Sequence, residues 1–316
     1  MTSITEYFPV HPQTLRIGTD VNPSIYYRHP NGSYSLLHKG GETYSAGQHA
    51  LIVNGKHGVV FILREELPLY YQYIGMVIES VVDDPLIQMS SKALIVYSLL
   101  AHTCRLVYDG PSQDNILKLK RMAGVFASLV RHDKAILSIL LKNTKTNSEL
   151  FNHALNVGIF ATGLTLEMMK DIDDVLLAEL SSGYFLHDIG RHMIPQSIRE
   201  KSGSLTPEEW VVMKKHPMDG YTMLLDLGLL TPENEIIVLQ HHERKNGSGY
   251  PNGLKGDEFH MYGIICAIAD AFDALTSNRP YRTSQSSFES LTQMRCEMND
   301  EFDNKFFTSF IRLFSV

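Results

Sequence analysis

The sequence predicts a mainly α protein: a C-terminal all-helical bundle, a helical connector before it, and a small β-rich domain at the N-terminus. Three observations lead there. Residues 1–67 string together short β-branched and aromatic runs punctuated by Asn-Gly pairs. Residues 68–147 switch to apolar positions three and four apart. Residues 148–316 repeat helix start signals.

In the first part the expected strands are Thr14–Ile17, Ser24–Tyr27, Tyr34–Leu37, Ala50–Val53 and Val59–Ile62. Asn31-Gly32 and Asn54-Gly55 mark hairpin turns, because a tight primed turn needs positive φ. The histidines here (His11, His29, His38, His49, His57) are scattered and form no constellation. In the connector, Leu86, Met89, Ala93, Val96 and Leu100 trace one helix face. Asp109-Gly110-Pro111-Ser112 breaks the pattern, and Ile116, Leu119, Met122, Val125 and Leu129 resume it. In the last part, Thr206-Pro207-Glu208-Glu209 combines an N-cap Thr, a first-turn Pro and a capping-box Glu. Thr231-Pro232-Glu233 opens another helix in the same way.

Bulk properties narrow the function. The chain has 316 residues, enough for two moderate domains. No stretch approaches the ~18 apolar residues of a membrane span, and the N-terminus has no signal-peptide pattern. The three separated cysteines (Cys104, Cys266, Cys296) indicate buried thiols in a reducing cytoplasm. Residues 1–148 carry 14 Lys and Arg against 11 Asp and Glu, a net +3, whereas 149–316 carry 14 against 24, a net −10. The acidic half argues against a DNA-binding surface and is compatible with cations.

The chemistry concentrates in that half. His187-Asp188 ends the apolar stretch Tyr184-Phe185-Leu186, where a carboxylate needs compensation. His241-His242-Glu243 follows Ile236-Ile237-Val238-Leu239, and adjacent helical side chains point about 100° apart, toward two different ions or one ion and a substrate. Glu149 and His153 are four apart, His216 precedes Pro217, and Asp270 and Asp273 interrupt an otherwise apolar segment. Singly each reads as a cap or ion pair. Together they are a mixed imidazole–carboxylate set on successive helices, from which bundle cores build dinuclear centres; N/O donors without Cys point to Fe, Mn or Zn.

The motifs His187-Asp188-Ile189-Gly190, His241-His242-Glu243 through Gly247-Ser248-Gly249-Tyr250-Pro251, Asp270-Ala271-Phe272-Asp273 and Arg279-Pro280-Tyr281-Arg282 resemble the HD-GYP family, a subgroup of the HD-domain metal-dependent phosphohydrolases. The resemblance covers about residues 149–316 and does not reach residues 1–70. It implies an all-helical HD-GYP bundle and a cyclic-di-GMP phosphodiesterase of bacterial second-messenger signalling, with two or three divalent metals, iron first and manganese as the alternative. It implies metal ligation by Glu149, His153, His187, Asp188, His216, His241, His242 and Asp270, with Asp188 bridging and Glu149 serving only a third ion. On that reading, a hydroxide held between the metals would attack the phosphodiester. Asp188 and Arg191 would be catalytic, Arg191, Arg279, Arg282 and Tyr250 would face substrate, and Asp273 and Glu243 would support the ligands from behind.

Departures from the family pattern bear on rate and substrate. Arg191 replaces the usual Lys, Asn246 the usual Asp, and Ala154 and Asn156 the usual Ser and Arg near His153. They keep a second reading open, a cyclic-dinucleotide binding or interaction module with little hydrolysis. The N-terminal domain (1–67) is expected to be a sensor or to bind a signalling partner, and a homodimer is compatible with the sequence.

Overall fold

The computed structural model describes residues 6–54, 59–144, 149–278 and 284–314. The chain forms two compact units, Met1–Leu99 and Leu100–Val316. It is mainly α, and the sheet is confined to the first unit. No helix among the described residues is long and apolar enough to cross a membrane.

In the first unit, β1 (Tyr7–Val10), β2 (Asp20–Val21), β3 (Ile25–Arg28), β4 (Tyr34–His38) and β5 (Glu42–Thr43) precede α1 (Ala46–Asn54), β6 (Val60–Leu63) and α2 (Leu67–Val82). A four-stranded antiparallel sheet runs β1-β6-β3-β4, and β2 pairs with β5. Ile25, Val60 and Ile62 are buried on one face. The Asn31-Gly32 turn forms as expected: Gly32 has φ 89°, and His29 N–H donates to Ser33 O at 2.8 Å.

Two strand expectations fail. Ala50–Val53 lies in α1, not in a strand. Ser45 and Gln48 exchange side-chain and backbone hydrogen bonds, a capping box that starts a helix despite the β-branched residues behind it. Asn54 is the last residue of α1, and Gly55 of the expected Asn54-Gly55 hairpin lies outside the described residues. Thr14–Ile17 is also not a strand; Pro12–Thr14 makes a 3-10 turn.

α3 (Met89–Asp109) contains the division between units, so the segment read as a connector contributes to both. The second unit continues with α4 (Gln113–His132), capped by Ser112 at the end of the break, then α5 (Lys134–Asn143), α6 (Leu150–Met168) and α7 (Asp174–Leu186). After them come α8 (Gln196–Arg199), α9 (Pro207–Met213), α10 (His216–Asp226), α11 (Pro232–Gln240), α12 (Met261–Thr276), α13 (Ser287–Glu297) and α14 (Asn304–Arg312). Both predicted caps form, Thr206 with its full capping box and Thr231 accepting from Asn234 N–H.

Helices α6 and α12 are buried almost all round, as their sparse charge dictates. Phe160, Leu164, Tyr184, Ile237, Ile268 and Phe272 join one core, each stabilising by about 1.5–3 kcal/mol. Any polar side chain on these helices is thereby forced inward. Of the cysteines, Cys104 and Cys266 are buried as expected, whereas Cys296 on α13 is exposed.

Candidate metal centre

Six elements deliver the site. α6 carries His153 and Asn156, and α12 carries Asp270 and Asp273. His187 caps the C-terminus of α7, and Asp188 caps a 3-10 turn over Ile189–Met193. His216 opens α10, and His241 and His242 end α11. Gly190 makes the turn possible. A β-carbon there would collide with the backbone of His216 and Gly220, so any side chain would push the His-Asp pair away from α10.

Asp188 is at the centre. Its Oδ1 lies 3.2 Å from His216 Nε2 and 3.6 Å from His241 Nε2. Its Oδ2 lies 3.5 Å from His153 Nε2 and 3.7 Å from His187 Nε2. Two donor groups therefore share one carboxylate: Asp188 with His216, His241 and His242, and Asp188 with His153 and His187. Asp270 closes the cluster, 3.1 Å from His153 Nε2 and 3.4 Å from His242 Nδ1.

The tautomers decide what this cluster wants. His187, His216 and His241 each place Nδ1 on a backbone carbonyl, of Tyr184 (2.8 Å), Met213 (2.7 Å) and Val238 (2.8 Å). A carbonyl only accepts, so each Nδ1 carries the hydrogen and each Nε2 presents a bare lone pair. His216 and His241 then aim two lone pairs at each other across 3.1 Å. His187 Nε2 and Asp188 Oδ1 are buried with no hydrogen-bond partner among the described residues. Orphaned acceptors at this density cost about 1–3 kcal/mol each unless a cation meets them. The pattern of Nδ1 on an oxygen and Nε2 pointing inward is that of metal-ligating histidine.

Charge makes the same case. Asp188, Asp270 and Asp273 are all at most 6% exposed, and Arg191 is the one fixed cation touching them among the described residues. Burial drives the His187 imidazole down to about 4 and that of His216 down to about 3; His242 is held well below the ordinary value by burial and by His241. All three stay neutral, the form that binds metal. His153 departs upward: burial pulls it down, but its bonds to Asp188, Asp270 and Asp273 outweigh that. Burial also pushes the Asp188 carboxyl up, yet Arg191 and the histidines hold it well below the usual range. The donor set, neutral imidazoles and ionised carboxylates around two centres, fits divalent cations of the Fe, Mn or Zn kind.

The HD domain family matches residues 140–306, just over half of the chain. The chain belongs to the HD-domain family. A cyclic di-GMP phosphodiesterase of Pseudomonas aeruginosa is 33% identical over 192 residues, covering 61% of this chain and 45% of that one. A cyclic di-GMP phosphodiesterase of Thermotoga maritima is 36% identical over 172 residues, covering 52% and 45%. The chain thus spans less than half the length of these curated relatives. Among solved structures, an HDG"Y"P protein from Bdellovibrio bacteriovorus shares the fold, with a TM-score of 0.67 at 20% identity over 98% of this chain and all of that one. These findings agree with the HD-GYP resemblance read from the motifs.

In this HD-domain protein, seven of the eight sequence-read ligands converge: His153, His187, Asp188, His216, His241, His242 and Asp270. Glu149 does not. It is the N-cap residue of α6 in extended backbone, and it lines the same cavity as His153 without joining either donor group. Its carboxylate is half exposed and lies 3.6 Å from Arg105.

Asp273 supports the ligands from behind, accepting from His153 Nδ1 and from Asn156 Nδ2, both at 2.7 Å. Asn156 was read only as a departure from the family; its three-residue step from His153 was the available signal for this role. Glu243 supports differently. Its buried carboxylate accepts backbone N–H groups of Asn252 (2.7 Å), Gly253 (3.2 Å) and Leu254 (3.0 Å), fastening the loop that carries Tyr250. The Tyr250 ring lies 4.7 Å from that of His242. Arg191 Nη1 donates to Asp188 Oδ2 at 2.8 Å, the 3-10 turn bringing residues three apart onto one side. Arg279 and Arg282 lie outside the described residues.

A cavity of about 1020 Å³ opens over the cluster, lined by His153, His216, His242 and Asp270 at the ligands and by Arg191, Arg199, Lys201, Trp210 and Tyr250 around them. Of these, Arg199, Lys201 and Trp210 escaped sequence reasoning, because they lie between motifs.

Proposed function

We propose that this chain is a metal-dependent phosphodiesterase that hydrolyses cyclic-di-GMP in bacterial second-messenger signalling. The observation that supports it is the single carboxylate, Asp188, shared by two sets of imidazoles whose lone pairs have no other use. The ligands are His153, His187, Asp188, His216, His241, His242 and Asp270, around two cations, iron first and manganese second. When bound, the cations supply a water of lowered pKa and polarise the phosphodiester.

The chain's own groups do the rest. Asp273 and the carbonyls of Tyr184, Met213 and Val238 hold the imidazoles in one tautomer. Arg191 brings a guanidinium, suited to phosphate oxygens, to the edge of Asp188. Tyr250, held by the Glu243-fastened loop, walls the cavity beside His242. The N-terminal unit is the place for a regulating ligand or partner.

One observation favours a second reading, a cyclic-dinucleotide binding module. The Arg191 guanidinium is engaged by Asp188 rather than turned freely to the cavity. Metal analysis of anaerobically purified protein together with a cyclic-di-GMP hydrolysis assay separates the two. Two cations per chain and turnover support the enzyme; tight binding without turnover supports the module; if neither is found, both readings fall.

A further inference from the structure

We infer that Trp210 is the platform on which one purine base of the substrate stacks, in the same cavity as the metal ligands. The inference rests on the reading of the chain as a cyclic-dinucleotide phosphodiesterase and names where that ligand is held.

The cavity is far larger than a phosphate group needs. Its volume of about 1020 Å³ is at the upper end of the ~300–1000 Å³ typical of sites that enclose a drug-sized molecule. The ligand cluster accounts for one part of the wall. Away from it, part of the wall is made by residues between Ile198 and Met213, and this part needs a reason.

Four aromatic rings bearing on base recognition line the cavity, and three are already engaged. Tyr108 is buried and donates its hydroxyl to Phe185 O at 2.9 Å. Phe151 is covered by the Arg105 guanidinium, 4.9 Å from its centroid. Tyr250 packs on His242 and has Lys214 Nζ 5.5 Å over its ring. Trp210 differs. It is 46% exposed, and among the described residues its indole makes no hydrogen bond, ring contact or cation–π contact. The largest apolar side chain in the protein is thus left nearly half exposed on a cavity wall, with no ring or cation stacked on it among the described residues.

Its position is also fixed. Glu209, the preceding residue, accepts from Lys201 Nζ at 2.6 Å and from Thr206 N–H at 2.7 Å. The Thr206 capping box locks the first turn of α9. The indole therefore stands on an anchored turn, which is what a stacking surface requires. Arg199 and Lys201 line the same wall, paired with Glu200 (3.6 Å) and Glu209 (2.6 Å), so this wall offers a flat apolar face framed by balanced charge. Any base has a π-face, and a purine covers more of an indole than a pyrimidine does.

Trp210 is the only tryptophan of the chain, so intrinsic emission reports on this residue alone. The experiment titrates the full-length protein with cyclic-di-GMP while following tryptophan emission, with calorimetry on the same samples. The expected result is a saturable quench with the calorimetric Kd, with inorganic phosphate giving none. Trp210→Ala should raise KM about tenfold with kcat nearly unchanged, and Trp210→Phe should recover most of the loss. Calorimetric binding without any change in emission, or a Trp210→Ala variant with the parent KM, overturns the inference while leaving the phosphodiesterase reading intact. Absence of binding in calorimetry overturns both.

Discussion

His38 and His187 are equally buried, one in each unit, and they mean opposite things. His38 ends β4 with both ring nitrogens committed, Nε2 to Val21 O and Nδ1 to the Gln48 amide, each at 3.2 Å. His187 commits Nδ1 to a carbonyl and leaves Nε2 facing a carboxylate with no hydrogen between them. The first is a satisfied core residue; the second is half of a bond. His49, also in the first unit, has a buried Nδ1 without a partner, but no other ligand-type side chain among the described residues converges on it. Burial of a histidine is therefore uninformative by itself. What distinguishes a site is several uncommitted lone pairs meeting at one place.

The largest test of that contrast is Asp188→Ala. Both donor groups lose their common oxygen donor, so metal analysis should find the centre emptied and turnover should fall by about a thousandfold or more, the loss of several kcal/mol of metal-derived stabilisation. Full metal loading in this variant would remove Asp188 from the centre. Next comes the paired experiment. His187→Ala should lower the metal content toward one per chain with the fold retained. His38→Ala should leave the metal content untouched and lower Tm, because Gln48 and Val21 lose a buried partner, at about 1–3 kcal/mol. Metal lost from the His38 variant would erase the distinction.

Acid should sharpen it further. In metal-stripped protein, His187 and His216 take up protons only near pH 4 and 3, whereas an unfolded histidine does so near 6.5. The unfolded state binds more protons between those values, so stability should climb as pH rises from about 4 to about 6.5. His153, shifted the other way, adds no slope below 6.5 and loses its contribution as pH rises through its raised value. A flat urea midpoint across pH 4 to 6.5 would contradict the buried neutral assignment. The smallest effect belongs to Glu149→Ala. Its carboxylate is half exposed and paired with Arg105, so both cations should remain and turnover should change by less than about threefold; loss of a cation would return Glu149 to the ligand set.

Much of the centre was legible because its chemistry is local. An Asp in a helix as apolar as α12, or a His-Asp pair after Tyr184-Phe185-Leu186, has to be compensated wherever the chain goes. What the sequence could not show was phase at element ends. The Glu149–His153 spacing presupposes a helix that already includes Glu149, whereas α6 begins at Leu150. Ala50–Val53 was read by propensity as a strand, while Ser45 and Gln48, outside the window, had already nucleated a helix. Trp210 was invisible for another reason: a tryptophan after a capping box looks like core until the cavity beside it is seen.

The sharing of Asp188 has a consequence for metal supply. On the proposed reading each donor group uses an oxygen of the same carboxylate, so a cation at one would change the charge and orientation offered at the other. Whatever factor one cation imposes on its neighbour's affinity, the neighbour returns in equal measure. The centre therefore does not fill as two independent fractions. Two cations held this way would answer to the surrounding metal concentration through a single coupling constant, and metal availability would itself be an input to the protein.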